Sequence, residues 1–173
     1  MVLEILDALQ QICGGRKIHE LFDYVVGVST GALIAALIAG LRMDVGQCKQ
    51  IYREVSVKLF DQGRFAGSLG LIRSHSYYNT EQWVNILKQT FGDLTLMEMA
   101  CNDDYLFGNE KHKERLKLGI VSCVAQPRFE PFIFRNYYYH PDNQSNYLGS
   151  GAYKLWEALR ASAAAPGYFE ECK

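Results

Sequence analysis

The sequence lacks an excess of charge of either sign. Its 18 Lys and Arg residues nearly balance its 19 Asp and Glu residues, for a formal net charge of −1. It also lacks any run of Lys or Arg. Proteins that bind nucleic acid carry a basic stripe or patch that contacts the phosphates. We therefore expect no nucleic-acid partner.

The cysteines lack the pattern of a disulfide framework or a metal site. There are five of them, and no C-x-x-C pair occurs. An odd, irregularly spaced set predicts free thiols in a reducing compartment. A D-x-D-x-D-G calcium loop is also missing. We therefore expect neither a disulfide framework nor a zinc site, and no cofactor is predicted.

One long stretch has no charged residue, from Tyr24 to Leu41. Its length and composition are compatible with a short transmembrane helix. However, Gly27, Ser29 and Gly31 crowd its first half, and such residues favour a turn. We predict a buried strand, a tight turn and a buried helix instead.

The 173 residues, 49% of them hydrophobic, suffice for one domain with its own core. Apolar spacing predicts strands and helices that alternate along the chain, which favours an α/β fold with a largely parallel sheet and helices on both faces. The predicted strands are 22–26, 116–124 and 132–134. The predicted helices begin near Leu3, Thr30, Asp44, Asn79 and Tyr153, and Gly14-Gly15, Gly40 and Gly92 end the first, second and fourth of them.

The turn inside the charge-free stretch reads Gly27-Val28-Ser29-Thr30-Gly31. This G-x-S-x-G pattern is typical of a nucleophile elbow, which requires a strand directly before it and a helix directly after it. Both are predicted here. Ser29 is thus the candidate nucleophile, and the Thr30 N–H, at the start of the helix, is a candidate oxyanion donor. Gly27 and Gly31 are expected to allow close approach of strand and helix. The alternative is a structural turn with no chemistry.

A serine nucleophile needs a base to take its proton. The four histidines are His19, His75, His112 and His140. His19 precedes the elbow, and the next two lie in polar segments. Only His140, which follows three tyrosines, is a plausible base for a Ser-His-Asp carboxylesterase, and a loop histidine is the simpler interpretation. The sequence thus predicts an elbow without a clear histidine base.

Two separated segments resemble the patatin-like phospholipases. One is Phe22–Ala32, which contains the elbow, and the other is Arg160–Phe169, R-A-S-A-A-A-P-G-Y-F. Phe134–Tyr137 and Tyr147–Gly149 are similar to the gamma-type calcium-independent members. The resemblance covers nearly the whole chain. It implies a three-layer fold and a Ser-Asp dyad, without histidine or metal, that cleaves the fatty-acyl esters of glycerophospholipids through an acyl-serine.

The chain departs from the family pattern at both ends. The family opens with a glycine-rich D-G-G-G-x-R-G loop that supplies oxyanion N–H groups, and its catalytic aspartate lies in an Asp-Gly-Gly motif beyond the segment that corresponds to Phe169. Neither motif occurs between Met1 and Lys173. The expectation is therefore a partial patatin-like domain over residues 1–173, with the base unassigned and little activity of its own.

Two further functions remain open beside the hydrolase. One is a lipid-binding pseudoenzyme that keeps the fold without the dyad, and the other is the carboxylesterase that uses His140. A lipid substrate implies peripheral contact with a membrane, and we expect an intracellular protein on an organelle membrane. Phe65–Ile72 is a candidate interfacial flap, and Tyr137–Tyr139 a candidate headgroup contact; packing against the fold is the alternative for both.

Overall fold

Six α-helices and four strands make up most of the regular structure in the part of the chain that the structure describes. The computed structural model describes residues 1–60, 79–101, 116–139, 142–143 and 145–172, except for the side chains of residues 60 and 101. The helices are α1 (Val2–Ile12), α2 (Thr30–Ala39), α3 (Val45–Phe60), α4 (Thr80–Phe91), α5 (Leu96–Cys101) and α6 (Leu155–Ala163). The strands are β1 (Tyr24–Val28), β2 (Lys117–Val124), β3 (Glu130–Arg135) and β4 (Leu148–Ser150).

The four strands form one sheet in the order β1-β2-β3-β4. The pairs β1–β2 and β3–β4 are parallel, and β2–β3 is antiparallel. The predicted α/β fold with a mostly parallel sheet is confirmed. The antiparallel pair arises because only residues 125–129 join β2 to β3, and a connection that short reverses the chain without a crossover helix.

Helix α2 packs on β1 and β2, and α6 packs on β2. The segment Ala32–Ile38 is buried on all sides, as the apolar composition predicted. Helix α3 packs on both α1 and α2, and α4 packs on α6. No helix among the described residues is long and apolar enough to cross a membrane. The interpretation of Tyr24–Leu41 as strand, turn and buried helix is correct in its order of elements and in the burial of the helix, but the strand is not buried on both faces as predicted, since Tyr24, Val26 and Val28 are exposed.

The opposite face of the sheet differs from the face that carries α2 and α6. Along β1 the side chains of Tyr24, Val26 and Val28 are 44%, 49% and 57% exposed. Tyr137 covers part of this face, with its hydroxyl 3.0 Å from that of Tyr24. Helices were predicted on both faces; α2 and α6 pack on the face of Gly27 and Ser122.

The predicted helix ends agree with the structure at several positions. Asp44 caps α3 by accepting the Gln47 N–H at 2.8 Å, and Asn79 caps α4. Gly14, Gly15 and Gly92 have positive φ, a conformation that favours glycine. The predicted strand 22–26 is shifted, because β1 pairs with β2 from Tyr24 to Val28.

Two short elements were not predicted, α5 and β4. The β4 strand has three residues and exists through its pairing with β3, so its cause is a tertiary contact. The predicted flap Phe65–Ile72 lies outside the described residues, as do the histidines His75, His112 and His140.

Candidate active site

Ser29 lies at the junction of β1 and α2, one residue beyond the strand and one before the helix. Its backbone angles are φ 53° and ψ −123°. A positive φ is uncommon for a residue with a Cβ, and such a conformation persists only when the surrounding structure enforces it. The strand-turn-helix arrangement that a nucleophile elbow requires is therefore present, and its central serine is strained.

Gly27 is the residue that allows this turn. A Cβ at Gly27 would lie 2.6 Å from the Cα of Ala32, so any side chain would collide with the first turn of α2. The prediction of close approach is correct for Gly27 and does not hold for Gly31, where a Cβ would meet no described atom within 4 Å beyond the helix's own backbone. Gly31 instead leaves open space on the first turn of the helix that follows Ser29.

The Ser29 hydroxyl does not cap α2, although serine before a helix is a common cap. Such a serine commonly caps the helix by accepting an N–H from its first turn. The Ser29 side chain accepts no such bond, and it has no hydrogen bond to any other described residue. Its carbonyl accepts the Ala32 N–H at 3.0 Å. The hydroxyl is half-buried and, within the described part of the chain, has no hydrogen-bond partner, so it is available for another role.

The first turn of α2 contributes its backbone N–H groups to the same region. Ala32 is the first residue whose N–H bonds within this helix, so the N–H groups of Thr30 and Gly31 belong to the unsatisfied helix start. Thr30 is exposed. The helix dipole adds partial positive charge at this end. The geometry therefore suits the stabilisation of negative charge beside Ser29.

Ser162 on α6 reaches the backbone of the elbow. Its hydroxyl accepts the Ser29 N–H at 2.9 Å and donates to the Val121 carbonyl of β2 at 2.7 Å. Sequence reasoning singled out the segment that contains Ser162 but gave this residue no role. The one sequence signal for it is that Ser162 carries the only hydroxyl in the run of small residues Ala161–Ala165.

The rest of that segment is anchored on α4. The Phe169 and Trp83 rings stack with their centroids 5.8 Å apart. The Glu170 N–H donates to the Thr80 hydroxyl at 2.9 Å. Gly167 has φ 82°, which suits glycine in the turn between α6 and this anchor. These contacts bind the chain beyond α6 to the same helical layer that holds α6 in place.

None of the described residues is bonded to Ser29 in the way a base would be. No described carboxylate or imidazole is hydrogen-bonded to its hydroxyl. His140, the one histidine considered as a base, lies outside the described residues. The three tyrosines before it are partly engaged: Tyr137 contacts Tyr24, and the Tyr139 ring lies 4.9 Å from the Arg135 guanidinium carbon.

Fold and elbow together define an α/β domain with a candidate serine nucleophile at the end of the first strand. The chain belongs to the patatin-like phospholipase family, whose pattern it matches over residues 3–172. The family expected from the sequence is thus confirmed.

The named relatives are phospholipases. The chain is 37% identical over 158 residues to the calcium-independent phospholipase A2-gamma of Homo sapiens, an alignment that covers 90% of this chain and 19% of that protein. The protein of the same name from Oryctolagus cuniculus has the same identity and coverage. Phospholipase A I of Arabidopsis thaliana is 28% identical over 198 residues, covering 91% of this chain and 15% of its own. The chain therefore spans less than a fifth of each relative.

Proposed function

We propose that this chain carries the nucleophile of a serine lipid acyl hydrolase that cleaves fatty-acyl esters of glycerophospholipids. The single observation that supports it most is the state of Ser29. Its hydroxyl neither caps α2 nor bonds to any described residue, although its backbone holds a strained conformation. Backbone strain of this kind is typical of functional sites.

In the proposed reaction, the Ser29 Oγ attacks the acyl carbonyl carbon while a base accepts its proton. The carbonyl oxygen becomes an oxyanion in the tetrahedral intermediate. Collapse breaks the ester C–O bond, and the lysophospholipid leaves with a proton returned by the base. Water then attacks the acyl-serine in the same way and releases the fatty acid. The resemblance implies an aspartate base, outside this chain, in a Ser-Asp dyad.

The start of α2 is the proposed oxyanion site. The Thr30 N–H is adjacent to Ser29 and unsatisfied within the helix, and it would donate to the oxyanion in the water-poor site that a bound lipid creates. The space over Gly31 would admit the ester group, since no atom of the described residues outside the helix's own backbone lies within 4 Å of its Cβ position. Gly27 has a different role, which is to let the strand and helix approach.

The substrate class comes from the relatives, whose names describe phospholipases, two of them calcium-independent. Phospholipids are presented in membranes, so we propose peripheral membrane contact, within the cell. A second candidate is a lipid-binding protein without catalysis. It is favoured by one observation: no described carboxylate or imidazole is hydrogen-bonded to the Ser29 hydroxyl.

A fluorophosphonate probe tests the nucleophile directly, because it phosphonylates activated serines. We expect peptide mass spectrometry to find the adduct on Ser29, to find none at that site in Ser29→Ala, and to find it undiminished in Ser56→Ala. Ser56 is a matched control because it is a half-buried serine on α3. A folded chain whose Ser29 reacts no faster than its other serines would contradict the proposal and favour the lipid-binding alternative.

The pH dependence of labelling then reveals a base. With a carboxylate base the rate levels off above the pKa of that base, whereas a serine without one reacts about tenfold faster for each pH unit as its alkoxide fraction rises. The substrate class is tested with phosphatidylcholine vesicles against a triacylglycerol emulsion, both with EDTA. Fatty-acid release from vesicles that depends on Ser29 and resists EDTA is the expected result.

A further inference from the structure

The hydrogen-bond ladder between β1 and β2 ends in an unusual way at Ser29. At the other end of the pair the Lys117 N–H donates to the Asp23 carbonyl at 2.8 Å, and the register pairs Val28 with Val121. In a parallel pair every second residue of a strand bonds to its neighbour. If this alternation continued to the end of both strands, the Ser29 N–H would donate the next hydrogen bond to the Val121 carbonyl.

Those two groups are bridged by a hydroxyl from a third element. The Ser29 N–H donates to the Ser162 Oγ at 2.9 Å, and the same hydroxyl donates to the Val121 carbonyl at 2.7 Å. Both backbone groups keep a hydrogen-bond partner. The inserted oxygen spaces the Ser29 backbone away from β2, so the chain leaves the sheet at this residue and turns into α2.

We propose that Ser162 is a positioning residue of the nucleophile elbow, an inference that rests on the function proposed for Ser29. Its hydroxyl holds the Ser29 backbone in the strained conformation that directs the nucleophile. Ser162 acts through Ser29 and touches no reacting atom. Because the hydroxyl belongs to α6, the docking of that helix on β2 sets the position of the elbow, and the anchored segment after α6 supports the docking.

A second serine at the same interface provides a matched control. The Ser122 hydroxyl of β2 donates to the Ala161 carbonyl of α6 at 3.0 Å. Both serines are half-buried and both join β2 to α6 through one donated bond. Only Ser162 also accepts the Ser29 N–H. Removal of either hydroxyl therefore costs an interface bond, while only Ser162→Ala removes the contact with the elbow.

The first readout is independent of activity. Amide hydrogen exchange at Ser29, followed by NMR on the whole chain, reports the bond to Ser162. We expect exchange about tenfold faster or more in Ser162→Ala, because the amide loses its acceptor. In Ser122→Ala and in Ser162→Thr, which keeps a hydroxyl, exchange should remain within about threefold of the parent. Unchanged Ser29 exchange in Ser162→Ala would overturn the proposal.

The second readout is the rate of Ser29 phosphonylation at saturating probe, together with the probe concentration at half-saturation. The expected result is a maximal rate about tenfold lower in Ser162→Ala with half-saturation unchanged, little change in Ser122→Ala, and recovery in Ser162→Thr. Equal losses in Ser162→Ala and Ser122→Ala would reduce Ser162 to an interface residue and overturn the proposal.

Ser162→Cys, with a similar volume and a weaker acceptor, replaces the alanine variant if that variant does not fold. If the parent chain is not labelled at Ser29, the function proposed above is overturned. The hydrogen-exchange data do not depend on labelling and still test whether Ser162 holds the elbow.

Discussion

Ser29 and Asn79 both directly precede a helix, and the two helix starts are built differently. Asn79 has φ −73° and ψ 103°, and its side chain accepts the Gln82 N–H at 3.0 Å. Ser29 has φ 53° and ψ −123°, and its side chain accepts nothing from α2. Both residue types are preferred caps, so the difference lies in the surroundings and not in the amino acid.

The contrast shows how a folded domain can keep the side chain before a helix from hydrogen-bonding to that helix. At Asn79 the local backbone is relaxed and the side chain satisfies the helix, so the residue has a structural role. At Ser29 the backbone is held by β1, by α2 and by the hydroxyl of Ser162, and the side chain is hydrogen-bonded to none of the residues that the structure describes. A capping residue contributes stability, whereas a strained residue costs it.

The largest expected effects come from removing each of the two side chains in turn. Ser29→Ala should lower Ser29-dependent labelling or hydrolysis at least about 10³-fold, with a change in the free energy of unfolding within about 0.5 kcal/mol. Asn79→Ala should lower the free energy of unfolding by about 0.5–2 kcal/mol, because α4 loses its cap, and leave labelling unchanged. Urea unfolding and probe labelling of both variants measure this. A large stability loss in Ser29→Ala would show that its hydroxyl has a structural role after all.

The two glycines of the elbow are the next contrast. Gly27→Ala should lower the free energy of unfolding by about 1–3 kcal/mol and reduce labelling of Ser29, because its Cβ would overlap the backbone of α2. Gly31→Ala should be neutral or stabilising by up to about 1 kcal/mol, because its Cβ enters open space and alanine favours a helix. Thermal or urea unfolding compares them. Equal destabilisation by both substitutions would contradict the asymmetry between the glycines.

Ser29→Gly isolates the strain itself. Glycine adopts positive φ without steric cost, so the substitution should remove part of a backbone strain of about 1–3 kcal/mol. It should also lower the free energy of unfolding by about 0.4–1 kcal/mol, because glycine gives the unfolded chain more conformational freedom. A net gain of about 1 kcal/mol in the free energy of unfolding is expected from these opposing effects. Asn79→Gly serves as the control, since its φ is negative, and it should not gain stability. A destabilised Ser29→Gly would mean that the elbow conformation carries little strain.

A third helix start gives the smallest effect, through pH. The Glu98 carboxylate accepts the Thr95 N–H at 2.8 Å, and these hydrogen bonds to Thr95 hold the pKa of Glu98 below its ordinary 4.5. A lowered pKa in the folded state means that this contribution is present above pH 4.5 and is lost as pH falls through the folded pKa. Glu98→Gln should therefore show a slightly shallower loss of melting temperature on acidification than the parent. Identical acid profiles would show that the contact adds no stability.

Several parts of the fold follow from local pattern. Helix α2 was predicted because the segment is apolar all round, and α4 because Asn79 and Gly92 are typical end residues. The elbow was predicted because Gly27 and Ser29 stand between a β-branched run and that helix. The antiparallel β2–β3 pair and the strand β4 were not predicted, because partner choice between strands depends on contacts distant in sequence.

The site divides in the same way. The residue type and position of Ser29 could be predicted from the chain around it. The bridge by Ser162 could not, since it joins residues that are 133 positions apart. The unequal roles of Gly27 and Gly31 were also out of reach, because both fit the G-x-S-x-G pattern and only the path of α2 distinguishes the space beside them.

For this protein, the sequence by itself determined the family, the α/β class and the serine at the turn, because hydrophobic periodicity and turn residues act over a few neighbouring positions. The tertiary structure decided the conformation of that serine. A positive φ at a residue with a Cβ is locally unfavourable, so no local preference produces it. It exists because β2, α2 and α6 meet at Ser29, and the hydroxyl of Ser162 takes the place of the next bond in the sheet.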